Sequence, residues 1–378
     1  HHFHKKKGEE GQPITSTDGK VLFDVGSGAE CVQCHMPERP YMVIDYRADH
    51  SFRIPRPDLS IKINTPNACN RCHLDKTDQW TNEYITKWYG PGRKAHYGTI
   101  IDEGRKGLAQ AHKDLIKLAS DPLYPVIVRS TALSLLAAYP GKESSLAYEL
   151  ALMDDEALIR RTAVDYVNVS DTKRQTALLA ALLYDPVKAV RIEAARRMTE
   201  IDDPQLDDAQ KKVFEASLAD YQKSMGYSAD FAFGRYNLGN LYVALKQPDK
   251  AIKNYQAAIK IDNFFYPAKV NLAMLYNQIG KNDEAETQLR EVVASHPEMY
   301  EAHYSLGLLL AEEKKYAEAA IHLKQAAKGM PKRARVHYNH GLLLQHLRQD
   351  SDAETSLLKA QGLDPDNLDK LYALADFY

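Results

Sequence analysis

Cysteine is scarce in this chain: four among 378 residues, all in two short strings, Cys31-Val-Gln-Cys34-His35 and Cys69-Asn-Arg-Cys72-His73. None is left over for a structural disulfide or for a thiol nucleophile elsewhere. Long apolar runs are also missing, since the longest, Ala177 to Tyr184, falls well short of the roughly 20 residues that span a bilayer. Neither charge sign dominates. A formal net charge of −2, with no basic stretch after Lys5-Lys6-Lys7, argues against a nucleic-acid partner. The chain opens His1-His2-Phe3-His4-Lys5 without an apolar h-region, so the expectation is a leader already removed or a start inside a longer protein.

What is present divides by texture, and a chain of this length implies more than one core. Residues 1–100 are rich in Pro, Gly, His and Cys, as in Arg53-Ile-Pro55-Arg56-Pro57-Asp58. Prolines at that density force extended and turning backbone and remove amide donors. Such a segment lacks the means to build an ordinary apolar core, which a large covalently held cofactor would supply.

Residues 101–205 read as amphipathic helices with an internal repeat. Val128-Arg129, Ile159-Arg160 and Val190-Arg191 recur 31 residues apart, with Ala132, Ala163 and Ala194 at the same interval. Asp121-Pro122, Asp154-Asp155 and Asp185-Pro186 precede them and read as helix starts. These are HEAT-like units, followed by a connecting helix over 206–231. Over 232–378 a 34-residue period is sharper: Leu238-Gly239, Leu272-Ala273, Leu306-Gly307 and His340-Gly341, with Ala251, Ala285, Ala319 and Ala353. Pro297, Pro331 and Pro365 close three of the units. Small residues at fixed points let the two helices of a hairpin approach closely. The pattern resembles the tetratricopeptide repeat (TPR), with four units and the first helix of a fifth. The fold class is therefore mostly α: an irregular haem-packed domain, then an α-solenoid. That fifth helix is either the cap or the start of a repeat that continues.

The two Cys-x-x-Cys-His strings carry a mechanism. Two thiols three residues apart can bond the two vinyl groups of haem, and the adjacent His reaches iron from the same side. Zinc is the rival for four cysteines, but the pairs stand further apart than in zinc ribbons and each has His in the next position. The cofactor read from the chain is thus haem c, two per chain, on Cys31, Cys34, Cys69 and Cys72, with His35 and His73 on the irons. His50, His4, His2 and His96 are candidates for the opposite axial positions; His1 and His112 are weaker. Asp49 is placed to orient His50. Arg53, Arg56 and Arg71 are candidate partners for haem propionates. Met42 is a minor axial candidate. None of the later histidines reads as a ligand, and His303 and His337, at one repeat position, read as packing residues.

The run Cys31-Val-Gln-Cys34-His35-Met36-Pro37, Asp49-His50-Ser51-Phe52-Arg53-Ile54-Pro55-Arg56-Pro57-Asp58 and Pro66-Asn67-Ala68-Cys69 resembles bacterial multihaem c-type cytochromes with trailing helical repeats, a group tied to cytochrome c554 and nitrite-reductase labels. The resemblance implies further haem motifs upstream, in which case some of His1, His2 and His4 would serve those haems. It implies a periplasmic or extracellular site. The leading role is electron transfer, with the solenoid docking a redox partner or other copies of the chain as a homo-oligomer. Two rivals are a haem-based reductase of a small nitrogen oxyanion, for which no pocket stands out, and a subunit of an extracellular cytochrome filament.

Overall fold

The computed structural model describes residues 12–23, 31–42, 45–51, 53–365 and 367–378. The chain divides into two compact units, His1–Asn168 and Val169–Tyr378, and the division falls inside the 101–205 stretch expected to be HEAT-like.

The first unit opens with two antiparallel hairpins that the sequence reading left as irregular backbone. Strand β1 (Ile14–Thr15) pairs with β2 (Val21–Phe23), and β3 (Glu38–Tyr41) with β4 (Asp45–Ala48). Gly19 turns the first at φ +86, a conformation that costs glycine little. Between the hairpins lies α1 (Cys31–His35); α2 (Pro57–Ile63), α3 (Asp78–Tyr89) and α4 (Tyr97–Arg105) follow. Among the described residues before 100, Pro57 and Leu59 are the buried apolar side chains.

Helices α5 (Ala111–Ser120), α6 (Val126–Leu135), α7 (Lys142–Ala151) and α8 (Ala157–Tyr166) then bury Leu115, Leu118, Leu133, Leu136 and Ile159 against one another. The repeated aspartates do not cap these helices directly. Asp121 and Asp154 accept from the amides of Leu123 and Glu156, two residues on, at 2.9 Å, so they shape the turn before each helix. The repeated arginine secures that turn: Arg160 donates to the carbonyls of Asp154 and Asp155 at 2.8 and 2.9 Å. Arg129 is buried, donating to the Ala119 carbonyl at 3.0 Å and pairing with Asp154.

The second unit repeats the device, with Asp185 accepting from Val187 and Arg191 donating to the carbonyls of Asp185 and Pro186. It holds α9 (Thr172–Leu182), α10 (Lys188–Met198) and the long α11 (Asp208–Tyr227), which starts on an Asp207/Gln210 capping box. The TPR hairpins follow: α12 (Ala232–Ala244) with α13 (Pro248–Ile261), α14 (Tyr266–Gln278) with α15 (Asn282–Ser295), α16 (Tyr300–Glu312) with α17 (Tyr316–Gly329), α18 (Ala334–His346) with α19 (Asp350–Leu363), and α20 (Leu368–Phe377).

The 34-residue period is a packing rule. A side-chain carbon added at Gly307 would lie 2.8 Å from Leu323 Cγ, and at Gly341 2.7 Å from Leu357 Cγ, so helix pairs touch there backbone to side chain. At the second repeat Ala273 faces the same position with Leu289, both buried. His303 and His337 pack as read: each ring Nε2–H donates to the carbonyl of the proline closing the previous repeat, Pro297 and Pro331, at 3.1 Å.

Candidate functional site

Both Cys-x-x-Cys-His strings close into single turns. Helix α1 brings positions 31, 34 and 35 onto one face, with the backbone alone described for Cys31. In the second, the amides of Cys72 and His73 donate to the Cys69 carbonyl at 3.1 and 3.0 Å, so Cys69, Cys72 and His73 share a face likewise.

The surroundings fix each turn. The His35 ring Nδ1 lies 2.7 Å from the Arg53 carbonyl. A carbonyl only accepts, so Nδ1 carries the hydrogen and Nε2 is the nitrogen with the lone pair. The Arg53 amide also donates to the His35 carbonyl at 2.8 Å, which locks the loop onto the motif. At the second motif the Cys69 amide donates to Asn67 Oδ1 at 3.1 Å, and the side chains of Asn67 and Asn70 both donate to Asp78 at the start of α3. Thr17, in the first hairpin, donates its amide to the Cys72 carbonyl at 3.2 Å. The His73 ring sits 5.1 Å from Trp80.

The two motifs also approach each other. Burial above all, then the neighbouring thiols of Cys34 and Cys72, push Cys69 up to about 11; burial and Cys34 raise Cys72 as well. Thiols held protonated at neutral pH are poor nucleophiles.

The remaining candidates fall into different places. His50 is exposed on the turn after β4; Asp49 beside it accepts from the Ser51 amide at 2.9 Å and pairs with Arg53 at 3.2 Å. His96 caps α4, its Nδ1 accepting from the Gly98 amide at 3.0 Å. In that state Nε2 carries the hydrogen, so iron ligation through Nε2 requires the ring to leave its cap. Burial chiefly, then Arg56 and Arg53, lower its pKa. Arg56 is committed to Asp58 in a two-handed pair at 2.8 and 2.7 Å, which holds that carboxyl below its usual range. His112 donates to Ser144 at 2.8 Å within the helical stack. Met42 is exposed at a turn. His1, His2 and His4 lie outside the described residues.

Sequence reading passed over Arg93. It follows Gly90-Pro91-Gly92 at the end of α3, and its Nη2 is buried with no hydrogen-bond partner among the described residues. A lone arginine after a Gly-Pro-Gly turn carries no sequence mark that separates it from a surface one.

In the second unit a face of the TPR array is built from linked polar residues. Asn271 donates to Tyr236 at 3.2 Å and to Asn240 at 2.9 Å, and two periods on Asn339 donates to Tyr304 at 2.8 Å. Tyr236 and Tyr304 therefore join consecutive repeats. Met274 and Leu308, one period apart, are exposed at 57% and 37%.

The family models that match lie within the second unit. Residues 232–265, 270–333 and 334–367 match family models of the tetratricopeptide repeat. No curated protein matches the chain. Among solved structures, it is similar to "MamA 41-end from Desulfovibrio magneticus RS-1" at 20% identity, over 39% of this chain and 82% of that one, with a TM-score of 0.37. YrrB, described as a TPR protein with an unusual peptide-binding site, shares 20% identity over 53% and 98%, with a TM-score of 0.36. TTC0263, a thermophilic TPR protein from Thermus thermophilus, shares 25% over 39% and 81%, with a TM-score of 0.33.

These matches correct the classification implied by the resemblance. The labels of multihaem c-type cytochrome and electron transport do not describe what the chain matches, because every family model that matches is a TPR model. Among the described residues, moreover, no group of three or more His, Cys, Asp or Glu is arranged to hold a metal ion, and no helix is long and apolar enough to cross a membrane. The chain carries a TPR array over 232–367, an architecture suited to protein–protein interaction and assembly.

Proposed function

We propose that this chain is a docking protein whose TPR array holds a partner while the N-terminal segment bears two covalently attached haems and exchanges electrons with that partner. The observation that carries the haem half is the geometry of the two motifs. Each closes into one turn with its Cys and His positions on a shared face, and the Arg53 carbonyl leaves His35 Nε2 with the lone pair that iron takes. The scarcity of buried apolar side chains among the described residues before 100 fits as well, because a covalently held macrocycle would supply a core there. Haem supplies one-electron chemistry when bound. The residues present would attach it through Cys31 and Cys34, and through Cys69 and Cys72, with His35 and His73 toward iron and the exposed His50 as a candidate second ligand. Attachment of this kind implies assembly outside the cytoplasm, and a redox protein or a second copy of the chain is the partner.

The test is to express the chain in a bacterial periplasm with haem-attachment machinery and to count covalent haem per chain. The expected count is two, falling to one in Cys34→Ala and to one in Cys72→Ala. Zero haem in the wild-type chain refutes the reading and leaves the TPR array as a docking module alone.

A further inference from the structure

The second Cys-x-x-Cys-His turn and the start of helix α3 are bolted into one piece. Asn67 and Asn70 both donate to the Asp78 carboxylate, at 2.8 and 3.1 Å, and Asn70 lies inside the motif, between Cys69 and Cys72. The hydroxyl of the buried Thr81 lies 3.3 Å from Asn70 Oδ1. Thr77 caps the helix by accepting from the Trp80 amide at 3.2 Å. The Lys76 amide donates to the His73 carbonyl at 3.1 Å, which closes the short link between motif and helix. Bonds from the turn, the link and the helix together fix where residue 80 stands relative to residue 73.

An indole stands there. The Trp80 ring lies 5.1 Å from the His73 imidazole, centroid to centroid, with the two planes inclined by 51°. That separation is within the roughly 4.5–7 Å over which aromatic rings attract one another. Tyr84 follows at 4.6 Å from Trp80, and Trp88 at 5.7 Å from Tyr84, each one turn further along the same face of α3. The chain has two tryptophans, and both belong to this row. Trp88 is 58% exposed whereas Trp80 is half-buried, so the inner ring of the row is the one set against the motif.

An imidazole bound to iron can turn about that bond unless its neighbours hold the ring. At the first motif the Arg53 carbonyl orients His35. At the second, the bulk of the indole restricts the His73 ring. An apolar ring beside an axial ligand also lowers solvent access there, which is one of the means by which a protein sets a haem potential.

We propose that Trp80 is a positioning residue for the haem carried on Cys69 and Cys72: it sets the plane of the His73 imidazole and keeps water from that side of the ligand. This rests on the covalent attachment of haem proposed above.

The experiment uses the haem-loaded chain and its Trp80→Leu, Trp80→Phe and Trp88→Leu variants. Covalent haem per chain, the midpoint potential of each haem and the electron-spin-resonance g values of the oxidised irons are measured for each. With two haems retained, Trp80→Leu is expected to shift the g values of one iron, lower one potential and leave the other haem unmoved. Trp80→Phe, which returns a ring, restores the g values, and Trp88→Leu changes neither quantity. Two haems with g values and potentials unmoved in Trp80→Leu overturn the assignment while sparing the attachment, and so does the same shift in Trp88→Leu. A wild-type chain without covalent haem overturns the attachment itself, and this assignment with it. Where Trp80→Leu fails to mature, the wild-type chain decides. Its two indole N–H resonances are compared between the oxidised and reduced states, with Trp88 identified by its loss in Trp88→Leu. The Trp80 resonance is expected to move further than that of Trp88, and an equal or smaller movement overturns the assignment.

Discussion

Replacing Gly239 by alanine tests whether close helix approach sets the period of the second unit. A carbon added there would lie 2.5 Å from Cδ1 and 3.0 Å from Cζ of Tyr255, whose side chain is fully buried. Relief requires the ring to move by about 1 Å, and overpacking of this kind costs about 1–3 kcal/mol. The ring is not free to slide, because its hydroxyl donates to Asn240 at 2.7 Å, and losing that bond adds about 1 kcal/mol. Against this, alanine gains about 1 kcal/mol over glycine in a helix interior. The net expectation is a loss of about 2 kcal/mol. The second repeat provides the remedy, for Ala273 and Leu289 occupy the equivalent positions and both are buried. Tyr255→Leu alone leaves a gap and destabilises, whereas Gly239→Ala with Tyr255→Leu should be no worse than Tyr255→Leu by itself. That is a favourable coupling of about 2 kcal/mol. Because the chain has two compact units, a single melting curve would mix them; hydrogen exchange of peptides from α12 and α13 reads the local stability instead. Additive single effects, or a Gly239→Ala chain more stable than wild type, would refute the reasoning.

Other expectations follow the same physics. Gly234→Ala should cost more than Gly239→Ala, since the added carbon meets backbone, 2.6 Å from the Ser228 carbonyl carbon, which has no rotamer to yield; exchange in α11 and α12 measures it. Arg129→Met should destabilise the first unit by about 3 kcal/mol by removing the buried cation that pairs with Asp154 and donates to the Ala119 carbonyl, and Arg129→Lys should not restore it, because a point charge cannot serve both. Burial depresses His340 from 6.5 to about 4, so the folded state resists its protonation. Its contribution is whole above pH 6.5 and is lost as pH falls toward 4, amounting to about 2 kcal/mol after solvent screening. His303, His322 and His337 are lowered in the same direction. Urea titrations at pH 7 and pH 4.5 should therefore show acid weakening of the second unit, with a shallower pH slope in His340→Leu.

What the sequence determined by itself is the solenoid and the positions of the two motifs. A 34-residue recurrence of Gly or Ala at 239, 273, 307 and 341 is legible because close approach of two helices excludes larger side chains, so a tertiary constraint is written into single positions. The Cys-x-x-Cys-His strings are legible for a similar reason, since one turn of backbone sets their geometry. Asp121, Asp154 and Asp185 mark the helix starts, but whether they cap them was not legible, because an Asx turn and an N-cap use the same residue and only the amide that each meets distinguishes them. The candidate site divides in the same way. His35 and His73 follow from spacing, but the tautomer of His35 depends on a carbonyl 18 residues away. The capping of α4 by His96, the commitment of Arg56 to Asp58 and the burial of Arg93 Nη2 without a partner among the described residues are likewise decided by which loops meet. A side chain's partner is a property of the packed chain, and no local pattern encodes it.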